Sequence, residues 1–142
     1  MSARPRELKA VIFDLDGTLV DTADEFVMVV QALRAEHGRA AMDPARIRAS
    51  VSNGARALVA LALDIAEEEP VFEQKRQRLL DLYSGVLGSV ARPYPGIEAL
   101  TAALEQRGIA WGISTNKPRA YTEPLLQRLD MRPGPGSVCL LY

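Results

Sequence analysis

Two rhythms of apolar residues run along this chain. Ala10-Val11-Ile12-Phe13 is a short continuous apolar run with β-branched members. That is the pattern of a strand covered on both faces, as in a parallel sheet, and we place it at Leu8 to Phe13. Helical spacing follows. Thr22-Ala23-Asp24-Glu25 reads as a capping box, opening a helix with Phe26, Val29, Val30, Leu33 and His37 on one face and Gly38 at its end. Asp43-Pro44 starts another helix, carrying Ile47 and Val51. Beyond Ser52-Asn53-Gly54, Leu58, Leu61, Ala62 and Ile65 form a third stripe, and Phe72, Leu79, Tyr83, Val86 and Leu87 a fourth. Between these two stripes, Glu67-Glu68-Glu69 before Pro70 reads as a solvated turn.

Arg92-Pro93-Tyr94-Pro95-Gly96 is the strongest breaker in the chain, and strand signals return beyond it. A helix with Ile97, Leu100 and Leu104 inward and Gly108 at its end leads into a second strand, Ile109 to Ile113. The next helix carries Leu125, Leu126 and Leu129. Pro124 either kinks it or marks its first turn. Arg132 to Gly136 is a loop, and Ser137 to Tyr142 has the look of a third strand. Strands alternating with helices predict an α/β fold, a Rossmann-like parallel sheet of three strands with an inserted α-helical bundle. The boundaries expected are 1–21 and 93–142 for the sheet domain and 22–92 for the bundle.

Composition excludes more than it identifies. A net charge of -1 over 142 residues leaves no electrostatic footprint for nucleic acid or an anionic membrane. No stretch approaches the roughly 18 apolar residues of a membrane span. The polar, basic start from Met1 to Lys9 is not a secretory signal, so a cytoplasmic protein is expected. The single cysteine, Cys139, allows no internal disulfide and fits a reducing compartment; its simplest role is a small buried residue of the last strand.

The chemistry gathers at strand ends. Ligands of parallel α/β sheets sit beyond the carboxyl ends of the strands, where Asp14, Asp16 and Thr115 all fall. Asp14 ends the first strand, where a carboxylate can face an electrophile as nucleophile. Asp16 can protonate a leaving oxygen and later take a proton from water. A divalent cation, Mg²⁺ by its preference for oxygen ligands, would hold Asp14 against an anionic substrate. Turn amides around Leu15, Gly17 and Thr18 can cradle phosphate oxygens, as can the Thr115 hydroxyl and the Asn116 amide. Pro118 then starts a helix whose positive end favours the same anion. Each segment alone has a plainer reading, the Asp-x-Asp-Gly-Thr turn as structure or weak metal loop, Ser-Thr-Asn-Lys-Pro as helix cap. Their coincidence at matching strand ends favours the site.

Phe13 to Thr22 resembles the first motif of the haloacid dehalogenase-like hydrolases, and Ile113 to Pro118 their second. Pro93 to Ile97 and Thr115 to Pro118 are similar to the phosphoglycolate phosphatase group. Val51 to Val59, with Trp111-Gly112, is similar to relatives acting on N-acetylmuramate 6-phosphate. The resemblance implies that Asp14 forms an aspartyl-phosphate and Asp16 is the acid/base. It also implies that the Asp14 side chain and the Asp16 carbonyl bind Mg²⁺, and that Thr115 and Asn116 hold the phosphoryl group. The bundle would be a cap, with Asn53, Gly54 and Arg56 reaching the substrate, although Arg56 reads equally as a surface arginine. A second aspartate argues against dehalogenation, which needs no leaving-group acid.

The family pattern also calls for a lysine after the third strand and acidic residues after a fourth. The chain's lysines are Lys9, Lys75 and Lys117. Lys117 belongs to the second motif and is the one available substitute; beyond Asp130 there is no acidic residue. The expectation is therefore an interrupted, impaired phosphatase for a small phosphomonoester, with 2-phosphoglycolate first and N-acetylmuramate 6-phosphate as the alternative. A non-catalytic remnant that binds Mg²⁺ and phosphate weakly is the contrasting reading. The first strand, lacking the family's neighbour, would be an apolar edge open to homodimerisation.

Overall fold

The computed structural model describes residues 7–132 and 139–141. Five strands and six α-helices follow one another along these residues. β1 (Ala10–Phe13), β4 (Ala110–Thr115) and β5 (Cys139–Leu141) form a parallel sheet in the order β1-β4-β5. β1 is in register with β4 from Ala10 opposite Ala110 to Phe13 opposite Ile113, and Thr115 stands opposite Leu141 of β5. Of the expected third strand, Ser137, Val138 and Tyr142 lie outside the described residues. So do Pro133 to Gly136 of the loop before it, Met1 to Arg6, and the burial expected of Cys139.

The chain divides into two compact units, Met1–Val20 with Pro93–Tyr142, and Asp21–Arg92. In the first, Leu15, Leu19, Trp111, Ile113 and Leu125 make the core, with α5 (Ile97–Gln106) and α6 (Arg119–Arg128) as its helices. The Phe13 and Trp111 rings meet edge-on at 6.3 Å, and the indole N–H donates to Glu105 Oε1 at 2.9 Å. α6 runs through Pro124 without interruption, and Thr122 Oγ1 donates to the carbonyls of Lys117 and Pro118 at its start.

The second unit is helical: α1 (Ala23–Glu36), α2 (Pro44–Arg48), α3 (Gly54–Leu63) and α4 (Phe72–Val86). Asp43 caps α2 by accepting the Ala45 amide at 2.9 Å, with Pro44 in the first turn, where its missing N–H costs nothing. Leu33, Ile47, Leu58, Phe72, Leu79 and Tyr83 close the core, and the Phe26 and Tyr83 rings stack at 4.4 Å. Val51 lies not in α2 but in a 3₁₀ turn, Val51–Asn53. Among the described residues no helix is long and apolar enough to cross a membrane.

Three further expectations are corrected, and one feature is added. β1 is not covered on both faces: Ile12 is 51% exposed, and among the described residues the strand is also an edge, with β4 beside it on one side only. Leu100 of α5 is 43% exposed rather than inward, and Leu104 carries that helix's burial. The capping box does not form. The Thr22 side chain makes no cap bond, Asp21 Oδ1 accepts the Ala23 amide at 3.1 Å, and the Glu25 carboxylate turns elsewhere. Finally, Val20–Asp21 (β2) and Arg92–Pro93 (β3) pair as a second small sheet, too short to leave any periodic signal.

Candidate active site

β1 delivers its carboxylates into a tight turn. The Leu15 carbonyl accepts from the amides of Thr18, Leu19 and Val20 at 3.3, 3.0 and 3.1 Å, and Gly17 N–H donates to Val20 O at 2.9 Å. Gly17 sits at φ +78, a left-handed conformation that an L side chain adopts only at a cost. Leu15 is buried completely, and this pins the turn between Asp14 and Asp16. Asp14 is exposed, and its Oδ1 accepts the Leu15 amide at 2.8 Å. The amides of Leu15, Gly17 and Thr18, expected to cradle phosphate, are thus engaged in the turn's own bonds.

β4 brings the second group. Its register with β1 sets the two carboxyl ends level, about 4.8 Å apart as neighbouring strands are. Thr115 is buried, and its Oγ1 accepts the Lys117 amide at 3.1 Å, which curls the chain over the strand end; Asn116 is exposed. A hydroxyl that accepts there still has its own hydrogen to donate. The curl turns Lys117 inward. Its side chain is 5% exposed and its Nζ lies 3.0 Å from Asp16 Oδ1. This ion pair joins the two strand ends across 101 residues of sequence. Sequence reasoning raised Lys117 as a stand-in for a missing lysine but did not find its partner. The available signal was its place two residues past a strand that neighbours β1.

In the helical unit, Asn53 and Gly54 stand at the start of α3, Gly54 at φ +85. Arg56 lies one turn on. Its Nε donates to Glu67 Oε2 at 2.6 Å, its Nη1 to Glu73 Oε2 at 3.4 Å, and its guanidinium lies 5.1 Å from the Phe72 ring centre. Part of the acidic turn is therefore employed in holding Arg56 rather than simply solvated.

The donors at the β1 end are hard oxygens, a carboxylate on Asp14 and the Asp16 carbonyl. They fit Mg²⁺, which commonly binds through one or two carboxylates and keeps water and phosphate oxygens for the rest of its shell. Among the described residues no group of three or more His, Cys, Asp or Glu side chains is arranged to hold a metal. The chemistry this arrangement offers is an exposed carboxylate beside a second one paired with a buried ammonium. A buried hydroxyl lies on the adjoining strand.

A family model for "haloacid dehalogenase-like hydrolase" matches residues 8–138. Over 122 residues the chain is 49% identical to an N-acetylmuramic acid 6-phosphate phosphatase of Pseudomonas aeruginosa, covering 86% of this chain and 54% of that protein. It is 39% identical over 124 residues to a phosphoglycolate phosphatase of Xanthomonas campestris pv. campestris, covering 85% and 54%. The chain thus spans about half the length of the curated relatives it matches. A haloacid dehalogenase-like family protein from Streptococcus pneumoniae superposes with a TM-score of 0.80 at 21% identity, over 95% of this chain and 61% of that one.

Proposed function

Because the chain belongs to the haloacid dehalogenase-like hydrolases, we propose that it carries the catalytic end of a Mg²⁺-dependent phosphatase for a small phosphomonoester. A carboxylate oxygen of Asp14 attacks phosphorus, and the bond from phosphorus to the leaving oxygen breaks. Asp16 gives that oxygen a proton. Water then attacks the aspartyl-phosphate, Asp16 takes a proton from it, and phosphate leaves with Asp14 restored. Thr115 and Asn116 are the phosphoryl holders of this reading, with the turn at Leu15, Gly17 and Thr18 beside them. Mg²⁺, held by Asp14 and the Asp16 carbonyl, would neutralise phosphate charge. The observation that carries the reading is the Lys117–Asp16 ion pair, which supports one composite site from two motifs far apart in sequence.

For the substrate, the higher identity to the N-acetylmuramic acid 6-phosphate phosphatase, 49% against 39%, supports the sugar phosphate over 2-phosphoglycolate. The helical unit is the cap of this proposal, with Asn53, Gly54 and Arg56 as its substrate residues. A cytoplasmic location belongs to it too, as does a homodimer through the β1 edge, which the 51% exposure of Ile12 supports.

The test is phosphate release by this chain with Mg²⁺ from N-acetylmuramic acid 6-phosphate and from 2-phosphoglycolate, beside Asp14→Asn. Release that the variant abolishes, faster with the sugar phosphate, is expected; equal release from both proteins overturns the role of Asp14. A second reading is weak binding of Mg²⁺ and phosphate without turnover, since the chain spans about half the length of its phosphatase relatives. Its mark is phosphate that binds and is never produced.

A further inference from the structure

Lys117 occupies a position that the nucleophile and acid/base roles leave unexplained. An ammonium withdrawn from water is costly unless it is paired, and here 5% exposure of the side chain is matched by a carboxylate at 3.0 Å. Both ends of the residue's backbone are also held: its N–H by Thr115 Oγ1 at 3.1 Å and its carbonyl by Thr122 Oγ1 at 3.0 Å. The lysine is thus held at its backbone and enclosed along its side chain, whereas Asp16 sits on a turn with its side chain 27% exposed. Of the two partners, the lysine is the anchor.

An acid/base carboxylate must come within about 2.6–3.2 Å of the oxygen it serves, and small misplacements cost large factors in rate. An aspartate side chain that solvent can reach has three staggered χ1 wells open to it. We infer that Lys117 is a positioning residue: by holding Oδ1 it selects one Asp16 rotamer and aims the carboxylate at the leaving oxygen. Its effect on turnover rests on the phosphatase reading; its effect on the Asp16 rotamer does not.

Two readouts on the whole chain test this. The first is steady-state hydrolysis of β-glycerophosphate with Mg²⁺, an alkyl ester whose leaving oxygen needs a proton. Lys117→Met is expected to lower kcat about 10²-fold, the size of lost acid–base help, while KM moves little. Lys117→Arg keeps much of the rate, and Lys117→Ala regains part of it with added ethylammonium, a primary ammonium no larger than the atoms removed, but not with tetramethylammonium. The second is the Asp16 χ1 distribution from NMR couplings, a single rotamer in the parent and Lys117→Arg and an average in Lys117→Met. Lys117→Gln is the second neutral variant should the methionine protein fail to fold. Unchanged kcat in a folded neutral variant, or a single Asp16 rotamer there, overturns the inference. If the parent releases no phosphate, the phosphatase reading fails, and the rotamer measurement alone decides the role of Lys117.

Discussion

Asp14 and Asp16 stand two residues apart in different surroundings, as the two different roles proposed for them require. Asp14 is exposed and bonded to its neighbour's amide, while Asp16 is tied to a buried ammonium. Thr115 stands beside them with its hydroxyl already oriented by the Lys117 amide. Thr115→Val removes that acceptor and the hydroxyl proposed to hold phosphate. We expect kcat/KM for phosphate release to fall about 10- to 100-fold, the worth of one hydrogen bond to a charged group. Gly17 makes a separate prediction. A Cβ there would meet nothing within 4 Å, so at φ +78 the cost of Gly17→Ala is conformational alone. Urea unfolding should show a loss of about 1–2 kcal/mol.

At the scale of elements, Glu25 is the most consequential departure from the local pattern. It is fully buried in the first turn of α1, and its Oε1 accepts the amides of Val90 and Ala91 at 3.2 and 3.0 Å. It thereby ties the helix start to the segment that follows α4, rather than capping its own helix. Glu25→Ala leaves two N–H groups without their acceptor and should cost about 2–3 kcal/mol in urea unfolding. Glu25→Gln, which keeps an acceptor oxygen, should cost much less. α1 is also joined to α4 by Arg78, which donates to both Glu36 oxygens at 3.0 and 2.5 Å. The hydrogen bond from Arg78 holds the Glu36 carboxyl below its ordinary value of 4.5. The unfolded chain therefore takes up this proton first. The pair's contribution is complete above pH 4.5 and fades as pH falls through the lowered value. Comparing Tm of the parent and Glu36→Gln from about pH 6 to about pH 3 should show the two curves converging at the acid end. The gap at pH 6 should be small, as for any exposed pair.

For the molecule as a whole, the open question of association sits on β1. Ile12 of β1, 51% exposed, and Leu8 just before the strand, 56% exposed, offer apolar surface next to backbone groups that can pair. Ile12→Lys places a charge on that patch. Sedimentation velocity should find the parent associating with rising concentration and the variant monomeric; identical profiles would remove the β1 edge as an interface.

Periodicity alone disclosed the helices of both units, the parallel strands β1 and β4, and the strand-end placement of Asp14, Asp16 and Thr115. These are local properties: which residues share a face, and where an apolar run stops, are written within a few turns or pleats of chain. Asp43-Pro44 fulfilled its reading as a helix start because cap and first turn are neighbours in sequence. Tertiary structure decided the rest. Glu25 looked like half of a capping box, but amides 65 and 66 residues away compete for its carboxylate and win. Arg56 is engaged by acidic residues of a turn and of the next helix, and Lys117 finds Asp16 across 101 residues. Whether an apolar face is covered, as at Ile12 and Leu100, depends likewise on what packs against it. An amino-acid pattern specifies a face and its chemistry; only the packing of elements distant in the chain specifies the partner.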